Sequence, residues 1–231
     1  MCGRFSLTVQ EDEIEKLFDV TLDRSMYVPR YNGAPGQQML VITMQERREA
    51  QWMRWGLVPS WAADIRIGNK MINARSETVE SKPAFRQAFR LRRCLVPADG
   101  FFEWKKNGRK TPYRILMKDH LAFAMAGIWE EWKDAEGHLL HTFSILTTRT
   151  NRLMQEIHDR MPVIIPVQSH HTYLTSKDLE QVLPLLQPYP EELMYAYPIS
   201  NKVNSPRNDD ASIFQAAPPP PASLFQDMTG E

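Results

Sequence analysis

The stretch from residue 101 to 117 constrains the fold more than any other. Asn107-Gly108 divides it, and the runs on either side, 101–105 and 113–117, are rich in aromatic and branched residues. An Asn-Gly pair between two such runs predicts a β-hairpin, because both turn positions accept positive φ at little cost. Period-two alternation then puts Phe101 and Glu103 on one face and Phe102 and Trp104 on the other. A loop of two residues predicts Pro112 opposite Glu103, where a missing N–H weakens pairing and leaves room beside the carboxylate.

The same grammar recurs along the chain. Residues 39–44 and 50–57 predict an antiparallel pair joined by the charged turn 45–49. Further strands are expected at 94–97, 123–129, 140–147 and 163–165. Thr8-Val9-Gln10-Glu11 has the form of a capping box for a helix over 8–19, with Ile14, Leu17 and Phe18 on one face. Ser81 predicts the cap of a second helix, with Phe85, Ala88 and Phe89 on its buried face. A short helix around Leu153, Met154 and Ile157 ends at His158, and Ser176 predicts the cap of another bearing Leu179, Val182, Leu183 and Leu186. Tyr31 to Gln37 is rich in Gly and Pro and reads as a shaped loop. Alternating βαβα units and internal repeats are absent. The expectation is an α+β fold: a single domain over 2–214, built on a mainly antiparallel, barrel-like β-sheet surrounded by a few helices, with a Pro-rich flexible tail at 215–231.

Charge restricts the partners. Lys+Arg and Asp+Glu both number 28, so a polyanion must be met by a local basic patch rather than by the protein's overall field. No apolar run is long enough to span a membrane and no signal peptide is visible, so a cytoplasmic, membrane-free monomer is expected. The two cysteines make neither a disulfide framework nor a zinc set, and Cys94 reads as inert strand packing. Walker loops, metal-spaced His/Cys groups and Gly-x-Ser-x-Gly are missing, so the reading assigns no cofactor and no metal.

Cys2 stands apart. A small second residue favours removal of Met1, which leaves an α-amine and a thiol on one residue. The amine titrates near ~8 rather than the ~10.4 of lysine, so a useful fraction is nucleophilic at neutral pH. Such a 1,2-aminothiol attacks an aldehyde twice: nitrogen forms an imine, then sulfur closes a thiazolidine. Glu103, set between large aromatics, suits proton transfer if desolvated. His158, at a helix end beside an acid and a base, is a proton shuttle or a structural donor. Asn32 holds an amine, orients a carbonyl, or serves its turn. Arg4 and Arg75 are candidate phosphate ligands and Trp61 a candidate stacking surface.

Seven segments occur in order: Met1-Cys2-Gly3-Arg4-Phe5, Tyr31-Asn32-Gly33-Ala34-Pro35, 55–61 (WGLVPSW), 72–78 (INARSET), 93–104 (RCLVPADGFFEW), Ile157-His158-Asp159-Arg160-Met161-Pro162, and 203–209 (VNSPRND). This series resembles the SOS-response-associated peptidase (SRAP) family of abasic-site processing proteins over residues 2 to about 214. The resemblance implies a protein that senses abasic sites in single-stranded DNA and crosslinks to the sugar through Cys2. It also implies self-cleavage that exposes the cysteine and, in some members, strand nicking by a lyase step. Matched by position, Asn32 would hold the Cys2 amine, Glu103 would move protons, and His158 would assist sugar-ring opening. Arg4, Asn73, Arg75, Thr147 and Arg160 would line the phosphate path, while Trp61, Pro35 and Trp104 would stack or wedge against flanking bases. Two other readings keep the same residues: an N-terminal-cysteine peptidase or amidohydrolase, and a single-stranded nucleic-acid binding module in which Cys2 is incidental.

Overall fold

The computed structural model describes residues 2–107 and 109–217. Gly108 and the prolines of the tail from 218 onward therefore lie outside the described residues. Thirteen strands are formed: β1 Phe5–Leu7, β2 Arg30–Gly33, β3 Gln38–Met44, β4 Arg48–Trp55, β5 Asn73–Arg75, β6 Arg93–Ala98, β7 Gly100–Asn107, β8 Arg109–Met117, β9 Phe123–Lys133, β10 Leu139–Arg149, β11 Arg160–Pro162, β12 Ile164–Ile165 and β13 Met194–Pro198. The helices are short: α1 Glu11–Phe18, α2 Arg86–Leu91, α3 Arg152–Gln155, α4 His170–Thr175 and α5 Leu179–Val182.

Strands β10, β4, β3, β6 and β9 pair in that order, and β9 returns to β10, so five strands close into a barrel. Closure satisfies the backbone groups that an open edge would leave exposed. Every joint in the ring is antiparallel except β10–β4, and β5 also lies parallel on β10. A second sheet, in the order β13-β8-β7-β1-β2, is antiparallel throughout.

Alternation along the strands divides the core. Leu40, Ile42, Leu95, Ala126 and Leu146 meet Ile14 and Phe18 of α1, Ala88 and Phe89 of α2, and Tyr173 of α4. The intervening Val41, Val96, Phe143 and Ile145 meet Phe5, Phe101 and Ile115 of the second sheet. Each such fully buried large side chain contributes roughly 1.5–3 kcal/mol. Cys2 belongs to this second cluster and is fully buried. Phe5, three residues on, holds the N-terminal strand in place with its ring 5.0 Å from that of Trp55.

Several local expectations give way, some to longer-range contacts and some to nearer neighbours. Thr8 does not cap α1; its amide and hydroxyl both donate to the Asp99 carboxylate, so the helix starts only at Glu11, with Gln10 as an uncapped N-cap. Ser81 donates to Thr78 O rather than capping, and α2 begins later, at Arg86. Asp178, not Ser176, caps α5 by accepting from the Glu180 amide. Tyr31, Asn32 and Gly33 are strand rather than loop, because Phe5 and Leu7 of β1 supply pairing partners that a local reading cannot see. The hairpin register is one residue from that expected: Asn107 faces Arg109, which puts Pro112 opposite Trp104 and Tyr113 opposite Glu103. Loop length sets register, and a shift of one exchanges every cross-strand neighbour. Glu103 therefore faces a tyrosine and not a gap.

Gly56 and Gly68 fix the loop that carries Trp61. Their backbones cross so closely that a Cβ on Gly56 would meet Gly68 O at 2.6 Å, and Gly56 has a φ of 120°, a conformation that favours glycine.

Candidate active site

The N-terminal strand delivers Cys2 into the seam between the barrel and the second sheet. Its carbonyl oxygen accepts a hydrogen bond from Asn73 Nδ2 at 2.9 Å, and its Sγ lies 3.8 Å from Arg4 O. Burial raises the thiol's pKa well above its ordinary value, and the nearby Glu103 charge raises it further. The thiol is therefore protonated at neutral pH.

Glu103 sits on β7 on the same face as Phe101, and is 2 % exposed. Desolvation pushes its carboxyl up to about 7, with the Asp159 charge adding to the shift. That value lets it give and take a proton near neutrality. His158 Nε2 lies 3.8 Å from Glu103 Oε2. The Arg160 amide approaches His158 Nδ1 at 3.1 Å, and Nε2 is the ring nitrogen that faces Glu103. Asp159 Oδ1, 2.8 Å from Nδ1, stands ready to pair with the imidazolium when the ring takes a second proton.

Four of the five residues expected along the phosphate path, all but Arg4, converge on three adjacent strands. On β5, Asn73 pairs with Ile145 and Arg75 with Thr147 of β10. Strand β11 flanks the other side of β10 and begins at Arg160. Arg75 is exposed and makes no ion pair among the described residues, whereas Arg160 is gripped. Its guanidinium donates to both oxygens of Glu77, at 2.7 and 2.8 Å, and to Thr147 O at 2.6 Å. In return Arg160 holds the Glu77 carboxyl below the usual carboxylate range. A phosphate reaching Arg160 must displace Glu77.

Asn32 and Arg4 form a separate cluster. Asn32 is fully buried on β2, and its Nδ2 donates to the carbonyl oxygens of Val203, Ser205 and Asn208 at 2.9–3.1 Å. Its Oδ1 accepts from Arg4 Nη1 at 2.8 Å, and the same guanidinium donates to Val203 O at 2.7 Å and Asn204 O at 3.3 Å. Trp104 Nε1 donates to Asn204 Oδ1 at 2.7 Å. Pro35 is exposed in the turn after β2, and Trp61 is 64 % exposed; no contact ties either to Cys2 among the described residues.

The model of the SOS response associated peptidase (SRAP) family matches residues 1–206. The chain belongs to the SRAP family. Among SRAP relatives, a Bacillus subtilis protein named abasic site processing protein YoqW is 44% identical over 223 residues, covering 94% of this chain and 100% of its own. The Xenopus tropicalis abasic site processing protein HMCES is 28% identical over 264 residues, covering 94% of this chain and 78% of its own. A crystal structure of a Bacteroides thetaiotaomicron protein superimposes with a TM-score of 0.86 at 33% identity, covering 94% of this chain and 100% of that one. Among the described residues no helix is long and apolar enough to cross a membrane.

Sequence reasoning assigned no role to three contributors to this SRAP site. Glu77 lies in the 72–78 segment, but its partner Arg160 is 83 residues away and leaves no local signal. Tyr113 enters only through the observed register. Asp209 accepts from the Tyr31 and Asn32 amides at 2.7 and 2.8 Å, fixing β2 from the far end of the chain.

Proposed function

We propose that this SRAP protein processes abasic sites in single-stranded DNA by joining the ring-opened sugar to Cys2 once Met1 has been removed. The observation that carries the reading is the meeting of Cys2, Glu103 and His158 at the buried end of the strip formed by Asn73, Arg75, Thr147 and Arg160.

The raised thiol pKa favours nitrogen as the first nucleophile. The α-amine attacks the C1′ aldehyde first, and the carbinolamine loses water to give an imine. The neutral thiol then adds to the imine carbon; its proton passes to Glu103 and on to the ring nitrogen. The net change is aldehyde plus aminothiol to thiazolidine plus water. His158, with its Nε2 facing Glu103, supplies the proton relay for sugar-ring opening. Asn73 holds the Cys2 carbonyl so that amine and thiol keep one orientation. The Asn32 amide nitrogen is engaged by three carbonyls, so any hold on the Cys2 amine falls to the second lone pair of Oδ1. Arg75 takes a backbone phosphate directly, Arg160 takes one in exchange for Glu77, and Arg4 acts by holding the N-terminal strand. Trp61 and Pro35 offer exposed surfaces to flanking bases, with Trp104 behind them as a braced ring. The imine is also the species from which β-elimination nicks the strand, so ring closure competes with lyase activity. Self-cleavage at Met1 is the peptidase step of the same scheme.

A peptidase acting on other acyl substrates would release its acyl group and leave no lasting adduct on Cys2. The test is a denaturing gel of the protein mixed with single-stranded DNA bearing one abasic site. A shifted band that vanishes in Cys2→Ala, and in a chain extended beyond its N-terminus, is expected. A band that persists in Cys2→Ala would sink the proposal.

A further inference from the structure

On the other side of the strands from Cys2, the last residue of α2, Leu91, is 70 % exposed. An open groove of about 370 Å³ runs from it toward α4 and α5, lined by Leu91, Leu174 and Leu179 together with Arg90, Arg93 and Lys177. A second groove of about 400 Å³, on the other flank of Arg90 and Leu91, is lined by Arg86, Gln87 and Glu80 among others. The two grooves share the Arg90–Leu91 ridge.

The charged lining of the first groove is all cationic. Arg93 is 6 % exposed and has no carboxylate partner among the described residues. Its guanidinium is held by the carbonyl oxygens of Phe89 and Arg90, at 2.7 and 3.4 Å, and by those of Tyr173 and Ser176. The closing carbonyls of α2 and α4 thus anchor a full positive charge in the groove floor. Arg90 and Lys177 stand exposed above it, and neither makes an ion pair among the described residues. In the first groove no carboxylate and no aromatic ring is part of the lining among the described residues. A protein of zero formal net charge has here concentrated cations around an apolar slot.

The lining separates two polyanions. Single-stranded nucleic acid binds by stacking its bases on aromatic rings, and this groove offers none. Three leucines instead accept one apolar side chain, while guanidinium forks pair with carboxylates. We propose that this groove docks an acidic peptide segment of a partner protein, with one apolar side chain between Leu91, Leu174 and Leu179 and carboxylates on Arg90 and Lys177.

The test uses the full chain and a fluorescein-labelled poly-aspartate peptide carrying a single central leucine, read by anisotropy. Saturable binding is expected, weakened about tenfold or more when the peptide's leucine becomes alanine. Arg90→Glu and Lys177→Glu should each weaken it by a similar factor, because the introduced carboxylate repels the peptide. Both side chains are exposed, and an unchanged melting temperature verifies that the variants fold. Cys2→Ala should bind the peptide as the wild type does, which separates this surface from the proposed chemistry. Equal affinity for the leucine and alanine peptides, or no loss in Arg90→Glu, would overturn the proposal. Displacement of the peptide by equimolar oligothymidylate would overturn it too, by making the groove a nucleic-acid surface.

Discussion

Strand β5 starts and ends in different environments. At Asn73 the side chain is half-buried and bonded to the Cys2 carbonyl; at Arg75 it is exposed and makes no ion pair among the described residues. Around the first end, Cys2, Glu103 and His158 are desolvated, and desolvation moves the Cys2 thiol and the Glu103 carboxyl away from their ordinary titration ranges. Around the second end, charges stay in water or pair with one another, as Arg160 does with Glu77. Proton transfer needs the first environment, because a group matched to neutral pH has to be shifted there by burial. Holding a phosphate needs the second, where one ligand can replace another at little cost. Damage to the two ends should therefore be separable: the first sets rate, the second sets affinity and its dependence on salt.

The sharpest cut through that comparison is Glu103→Gln. It should slow crosslink formation about 100-fold while leaving non-covalent affinity within about twofold, measured by quenched gel time courses and anisotropy. In the wild type the rate should rise as pH passes about 7; the variant should keep only the titration of the terminal amine near ~8. The same substitution should stabilise the fold at alkaline pH. A carboxyl whose folded pKa exceeds its unfolded value near ~4.3 binds its proton more tightly when folded. That contribution is fully present below the unfolded value, declines as pH rises, and is lost above about 7. Thermal melts at pH 8 should therefore favour Glu103→Gln, and melts at pH 4 should not; equal shifts at both would break the assignment.

Arg75→Ala and Arg160→Ala come next. Each should weaken binding of abasic single strands several-fold and lower the slope of log affinity against log salt by about 0.7, with closure rates on saturating DNA unchanged. Glu77→Gln should tighten binding a few-fold, and its effect should disappear in an Arg160→Ala background, a double-mutant cycle that isolates the exchange. The smallest change is expected from Asp209→Asn. Weakening one acceptor of the Tyr31 and Asn32 amides should cost about 1 kcal/mol of stability by denaturant titration, with crosslinking almost untouched.

What could be read from the chain follows the range of the interactions. The hairpin of β3 and β4, the buried strand around Cys94 and the face shared by Phe101 and Glu103 rest on alternation and were legible. None of the three predicted caps held: Thr8 was drawn off by the distant Asp99, whose other ligands include Ser6 and Arg114, while Ser81 and Ser176 turned to neighbours two or three residues away. At the site, Cys2, Glu103 and His158 announced their chemistry as residue types, yet their meeting depends on β1 threading beside β7. The capture of Arg160 by Glu77, and of Arg4 by the backbone of 203 and 204, are tertiary facts with no periodic trace.

That last contact bears on when the molecule can act. Translation yields Arg4 and Asn32 long before their carbonyl partners at 203–208, so an emerging polypeptide has its N-terminal strand well before it has the brace that holds it. The seating of the N-terminal strand is thereby tied to a segment distant in sequence, and a chain cut before residue 200 should leave Cys2 more open to a thiol reagent than the intact fold does.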